Sequence, residues 1–425
     1  MESRFVRRAL SFCLLFCLPL AAQVAPIPTP TELSGNPFYV KKTWIIGGAG
    51  SWDYLTMDPA AQRLYIAHSR TVQVVDVESG SVVGEISGFR EAHAIALDDT
   101  GSYAYISDGL ANAVAVVDRT TLKIESTIPI RCSPRSIAFE PQSKLVFAVC
   151  SAVLPGPSAS RPGARPSQPP LAGISHVVAI DTDKNRVLAD IAVTGDFRFS
   201  QSDGAGHVYV SVGAVDREAD RNGAAQHIHS PPRIAVFDAS GIAAEAHRQL
   251  DNAQSGAPSN DSAHFDWSES QNSGGLLQFI PLRTHCENPQ GLAIDGKDQR
   301  LFAACDNQTL VVLNANSGDA AASLTTGPGD DSVAYDADRG LIFSANGAGY
   351  GSLTIIRQDA NTDSYAVVQN LATLARARTL AVDSSTGNVY LVTDFTGVVL
   401  PQNGGFGTIK TAPIQGSFQV IVVGH

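Results

Sequence analysis

The chain has 425 residues, a formal net charge of −11 and only 17% charged residues, with 37 glycines and 23 prolines. So acidic a surface is a poor partner for nucleic acid and repels anionic lipid. The length exceeds the roughly 250–300 residues at which one simple core stops growing, so a single plain domain is excluded.

The first 22 residues join a basic start (Arg4, Arg7, Arg8) to an apolar run from Ala9 to Leu20 and a small Ala21-Ala22 pair before Gln23. This predicts a cleaved signal peptide (1–22), since the run is too short to span a bilayer and no stop-transfer pattern follows. Cys13 and Cys17 leave with it, and four cysteines remain, which suits a secreted or periplasmic protein. The mature chain keeps 27 basic and 40 acidic residues, a net charge of −13. No later stretch is long and apolar enough for a transmembrane segment. Residues 23–37 are Pro-rich and read as an extended leader.

From residue 38 onward one phrase recurs. An apolar strand, a turn rich in Asp, Gly and Pro, and a second strand carrying an aromatic form a hairpin whose aromatic is Tyr65, Tyr105, Phe147, Tyr209, Phe302, Phe343 and Tyr390. Third strands follow at Val72–Val77, Ala113–Val117, His176–Ile180, Ile234–Phe237, Leu310–Leu313, Leu353–Ile356 and Phe418–Val423, and short fourth strands such as Val82–Ile86 complete the units. Where no insertion intervenes the period is 40–42 residues, that of a four-stranded propeller blade. The predicted fold is therefore all-β, a seven-bladed β-propeller over 38–425. The last repeat ends after its third strand, and the unassigned strand Tyr39–Ile46 is expected to supply the fourth, so that the N-terminal strand closes the ring and leaves no open edge. Helical periodicity is weak and confined to Ile242–Leu250.

Cysteines sit before the first strand and at the end of the second in two repeats, so Cys132–Cys150 and Cys286–Cys305 are expected as cross-strand disulfides. Each would close a loop of about 18 residues, contributing roughly 3 kcal/mol. No C-x-x-C motif suggests a redox role. Insertions at 153–175, 214–231 and 395–416 fall between second and third strands and should crowd one mouth of the channel; the insertion at 241–273 should emerge on the opposite face.

GGAGSWDYLTMDPAAQRLYIAH and CENPQGLAIDGKDQRLFAAC resemble the secreted bacterial YncE-like proteins built from YVTN β-propeller repeats, over nearly all of the mature chain. The resemblance implies the propeller fold and a surface or periplasmic location, and it implies no particular reaction.

One register position, near the start of each innermost strand, reads Asp53, His93, Arg135, Arg198, Gln290, Asp331 and Arg378 around the ring. Seven polar residues at one position imply a solvated funnel, because unpaired polar groups are too costly in a dry core. The plainer account is mutual neutralisation, with Arg378 between Asp331 and Asp53. Arg135 and Arg198 lack an acidic neighbour at that level and are the candidates for holding a carboxylate or phosphate. His93 beside Asp53 is the candidate for an oriented base in a lactonase- or hydrolase-like enzyme. His227 and His229, two apart in an insertion, are the one candidate metal pair, although two ligands do not make a site and a solvated loop is the simpler reading. No cofactor motif is present. The expectation is a monomeric binding module for a small anionic ligand or an envelope protein, with the hydrolase and an assembly scaffold as alternatives.

Overall fold

The computed structural model describes residues 37–48, 50–151, 173–217, 228–253, 262–267, 273–282, 286–399 and 410–425. The expected signal peptide (1–22) and nearly all of the expected leader lie outside them. Each repeat forms an antiparallel sheet because its strands alternate inward apolar residues with turns shaped by a carboxylate. Asp58, Glu140 and Asp383 are buried and accept hydrogen bonds from backbone N–H groups of their own turns. Several of these carboxylates also bind the neighbouring blade: Glu140 accepts from Gly206 N at 3.1 Å, and Asp295 accepts from Gln358 Nε2 at 2.9 Å.

Seven such sheets stand around an axis, each innermost strand in contact with the next and the last with the first. The innermost strands are Trp52–Asp58, Ala92–Leu97, Pro134–Glu140, Asp196–Ser202, Pro289–Asp295, Asp330–Asp336 and Leu380–Asp383. The aromatics of the second strands are all buried and fill the core. In blade seven, Tyr39–Ile45 pairs antiparallel with Gln419–Gly424, so the sheet contains one N-terminal and three C-terminal strands, as the orphan strand implied. Blade three carries a fifth strand, Ala263–Trp267, parallel to Arg186–Thr194. It comes from the insertion after the third strand of blade four, which also forms the helix Ala239–Ala253. Two-stranded ribbons, Val215–Arg217 with Ile228–Ser230 and Thr396–Val399 with Lys410–Pro413, rise between second and third strands of blades four and seven.

Both expected disulfides are formed, with Cα separations of 5.9 Å (Cys132–Cys150) and 5.4 Å (Cys286–Cys305). They tie the entry to the innermost strand to the end of the second strand in blades three and five. Such bridges belong to an oxidising compartment. Among the described residues no helix is long and apolar enough to cross a membrane.

The seam ends at Phe38. Its ring is buried against Phe343 of blade six, 5.4 Å between centroids, and its backbone exchanges two hydrogen bonds with the Gln369 side chain (2.9 and 2.7 Å). Phe38→Ala is expected to cost about 3–5 kcal/mol, the range for deleting a buried phenyl ring. A urea midpoint that does not move would show that the seal does not depend on this residue.

Candidate functional site

Six of the seven innermost strands break their ladder at the same place. Pairing skips between Trp52 and Leu55, Ala92 and Ile95, Pro134 and Ser136, Phe197 and Ser200, Pro289 and Leu292, and Asp330 and Ser332. The skipped residues include Asp53, His93, Arg135, Arg198, Gln290 and Asp331. A bulge re-aims the side chain it carries, and here it accompanies every member of the polar ring that lies within a strand. Arg378 lies just before the strand of blade seven. Backbone groups freed by the bulges find hydroxyl partners: Ser107 Oγ accepts from Ala94 N, Ser211 Oγ accepts from Phe199 N, and Thr379 Oγ1 donates to Asp53 O. Buried serines on second strands are thereby explained.

The next residue of each blade shapes the depth of the funnel. It is Tyr54, Ala94, Ser136, Phe199, Gly291, Ser332 and Thr379. Tyr54 and Phe199 approach from opposite blades to 5.0 Å between ring centroids, in the space the five smaller residues leave. They floor the mouth; beneath them lies a separate cavity of about 390 Å³. Burial first, then the charges of Asp331 and Asp53, hold the Tyr54 hydroxyl well above the usual phenol range, so it stays neutral.

On one side of the mouth the charges are largely absorbed. His93 is buried, with Nδ1 2.7 Å from Asp53 Oδ2 and Nε2 3.3 Å from Glu91 Oε2. A Cβ at Gly109 would meet Nε2 at 2.6 Å, so that nitrogen is walled in. Arg198 does have an acidic neighbour, against expectation. Its Nε and Nη2 both donate to Asp196 Oδ2 (3.0 and 2.9 Å), two residues back on the same strand. Arg135 is exposed and has no side-chain partner among the described residues.

The other side holds a pocket of about 370 Å³ between blades five, six, seven and one. Arg378 lies here and chooses Asp331 (Nε to Oδ2, 3.0 Å), leaving Asp53 to His93. Sequence reasoning missed Arg376, which lines the same pocket, pairs with Asp394 and lies 4.7 Å over the Trp52 ring. The signal was its spacing of two from Arg378. Both guanidinium side chains keep solvent access, 41% for Arg376 and 47% for Arg378. Gln290 Nε2 donates to Asp306 Oδ1 at 2.8 Å, and Asn288 Nδ2 donates to Asp306 Oδ2.

Asp331 keeps 28% of its side chain exposed and pairs with Arg378. Burial, opposed by Arg378 and Arg198 and reinforced by Asp53 and Asp306, pushes it up to about 6. Asp330 beside it is buried, and burial raises it to about 7 despite hydrogen bonds from Thr326 and Ser344. The proton count agrees. Ser344 Oγ lies 2.9 Å from Asp330 Oδ1 and 3.2 Å from Asn346 Oδ1, but a hydroxyl has one proton; a protonated Asp330 supplies the second.

His227 lies outside the described residues, as does the side chain of His229. His247 is exposed on the helix, and His264 lies across from Asp190 on the fifth strand of blade three. Among the described residues no three His, Cys, Asp or Glu side chains gather as a metal-binding group.

Three of the solved structures that share this fold illustrate it. They are "Structure of U3-55K" (11% identity, TM-score 0.58, covering 92% of this chain and 99% of that one), "Crystal structure of RRP9 WD40 repeats" (10%, 0.59, 93% and 99%) and "Crystal Structure of Mitotic Checkpoint Complex" (11%, 0.57, 91% and 96%). Identity this low shows the seven-bladed, WD40-like fold alone. No family model matches the chain, and no curated protein sequence matches it.

Because the Asp330 carboxyl is higher in the folded chain than the roughly 3.9 of an unfolded aspartate, the stability it contributes is complete below about pH 4 and is lost as pH rises through about 7. Asp330→Asn should flatten this slope, narrowing the stability difference between about pH 5 and pH 8 by on the order of 2–3 kcal/mol. Urea titrations at the two pH values check it; an unchanged difference would mean Asp330 is ionised throughout.

Proposed function

We propose that the chain is an extracytoplasmic recognition module that takes a small anion-bearing ligand at the floored mouth of its propeller. One observation carries this reading: Arg376 and Arg378, each with a large exposed fraction, line one pocket of about 370 Å³. Guanidinium forks suit carboxylate and phosphate, and each of these spends only part of its five N–H donors within the protein. Arg135, without a side-chain partner among the described residues, adds a cation on the opposite side. Weight therefore moves from Arg135 and Arg198 to Arg376 and Arg378, because Asp196 already occupies Arg198.

The signal sequence, the resemblance to YncE-like YVTN-repeat proteins and the two disulfides all favour a protein matured outside the cytoplasm. Propellers host binding, catalysis and assembly alike, so the fold does not choose among them. The hydrolase alternative has an oriented imidazole in its favour, since Asp53 holds His93 Nδ1. A general base must present its other nitrogen to substrate, and here Nε2 is buried against Glu91 and Gly109. His93 is better read as a positioning residue of the wall. The scaffold and envelope-partner alternatives rest on the insertions at the mouth, which a binding pocket does not exclude.

Titration calorimetry with simple carboxylates and inorganic phosphate tests the reading. Arg376→Ala and Arg378→Ala should each weaken the best anion by roughly 10- to 100-fold, the worth of charge-assisted hydrogen bonds. Anion affinity should rise as pH falls through about 6, where protonation of Asp331 releases Arg378. If no anion binds at any pH, the proposal falls.

A further inference from the structure

The pocket between blades five, six, seven and one is divided by sign. Its bases, Arg376 and Arg378, come from the segment entering blade seven, and its acids, Asp306, Asp330 and Asp331, come from blades five and six. Arg376 answers to Asp394 behind it and Arg378 to Asp331. Asp306 answers to no base among the described residues. Its polar contacts are the amides of Gln290 and Asn288, one on each carboxylate oxygen, and it is exposed toward the pocket it lines. Each oxygen keeps a lone pair for a further donor. A carboxylate with no cation of its own, a few side chains from two guanidiniums with spare donors, is half of a complementary pair of subsites.

Two further observations bear on the occupant. Arg376 lies over the Trp52 ring, which fixes the plane of its guanidinium, and the Trp52 indole Nε1 is a buried donor with no hydrogen-bond partner among the described residues. The volume of about 370 Å³ admits a molecule of several rotatable bonds but not a folded partner. A plain anion would leave Asp306 uncompensated, and a plain amine would leave both guanidiniums with idle donors.

We infer that the occupant of this pocket is a small zwitterion of about dipeptide size, its carboxylate on Arg376 and Arg378 and its ammonium on Asp306 and Asp331. The inference rests on the anion-binding reading of the same pocket and adds the second charge.

Calorimetry on the full chain with alanyl-alanine, its N-acetyl form and its C-terminal amide separates the two claims. The free dipeptide should bind roughly tenfold or more tightly than either capped form at about pH 7.5. Asp306→Asn should cut its advantage over the N-acetyl form several-fold, and should not weaken the N-acetyl form itself. Arg378→Gln should erase its advantage over the amide. The pH slopes should oppose one another. Asp331, faced by Arg378, Asp53, Asp306, Arg198 and Tyr54, titrates near 6 and the adjacent Asp330 near 7, so as pH falls through that range the zwitterion should weaken while the N-acetyl anion strengthens. If the N-acetyl form binds as tightly as the free dipeptide, the zwitterion inference is overturned and the anion reading stands. If none of the three binds and simple anions also fail, both are lost.

Discussion

The structure depends on one pairing of distant chain segments, Tyr39–Ile45 against Gln419–Gly424. Seven sheets in a row have two open edges and no axis. Closing the row removes the edges, brings the inner strand of blade seven against that of blade one, and makes a common centre out of residues hundreds of positions apart. The pocket described above spans that seam, with Trp52 after it and Arg376, Arg378 and Asp394 before it. An unsealed ring would keep most of its blade cores and lose the site.

Within the closed ring, backbone irregularity rather than side-chain choice aims the polar groups. A regular strand places alternate residues on the sheet's two faces, which in a propeller means into the spaces between blades. The skipped pairings at the entry of six inner strands turn Asp53, His93, Arg135, Arg198, Gln290 and Asp331 out of that alternation. Ser107 and Ser211 hold the displaced backbone from the second strands. Polar residues buried in the blades thus serve the geometry of the mouth from behind.

The fold was legible because a propeller repeats its constraint: an aromatic at a fixed phase, such as Tyr105 or Phe302, recurs at each period and survives local degradation. Ring closure followed from counting strands. The polar register was legible by the same alignment, but which charges meet was not. Asp196 and Arg198 lie two residues apart on one strand, a local signal overlooked in favour of neighbours around the ring. Comparing the following position would have exposed the bulky Tyr54 and Phe199 among small residues. The fifth strand of blade three was hidden in an insertion, though Ala263, His264, Phe265 and Asp266 alternate buried and exposed as a strand should. No sequence pattern states that Asp331 chooses Arg378 and Asp53 chooses His93, since that follows from distances only the assembled ring defines.

The crossing of Tyr54 and Phe199 narrows the axis between the pocket at the mouth and the cavity beneath. A molecule held at that mouth would then arrive and leave mainly by the same opening. Any larger body that seats over the ribbons of blades four and seven would hold the occupant in place without touching it.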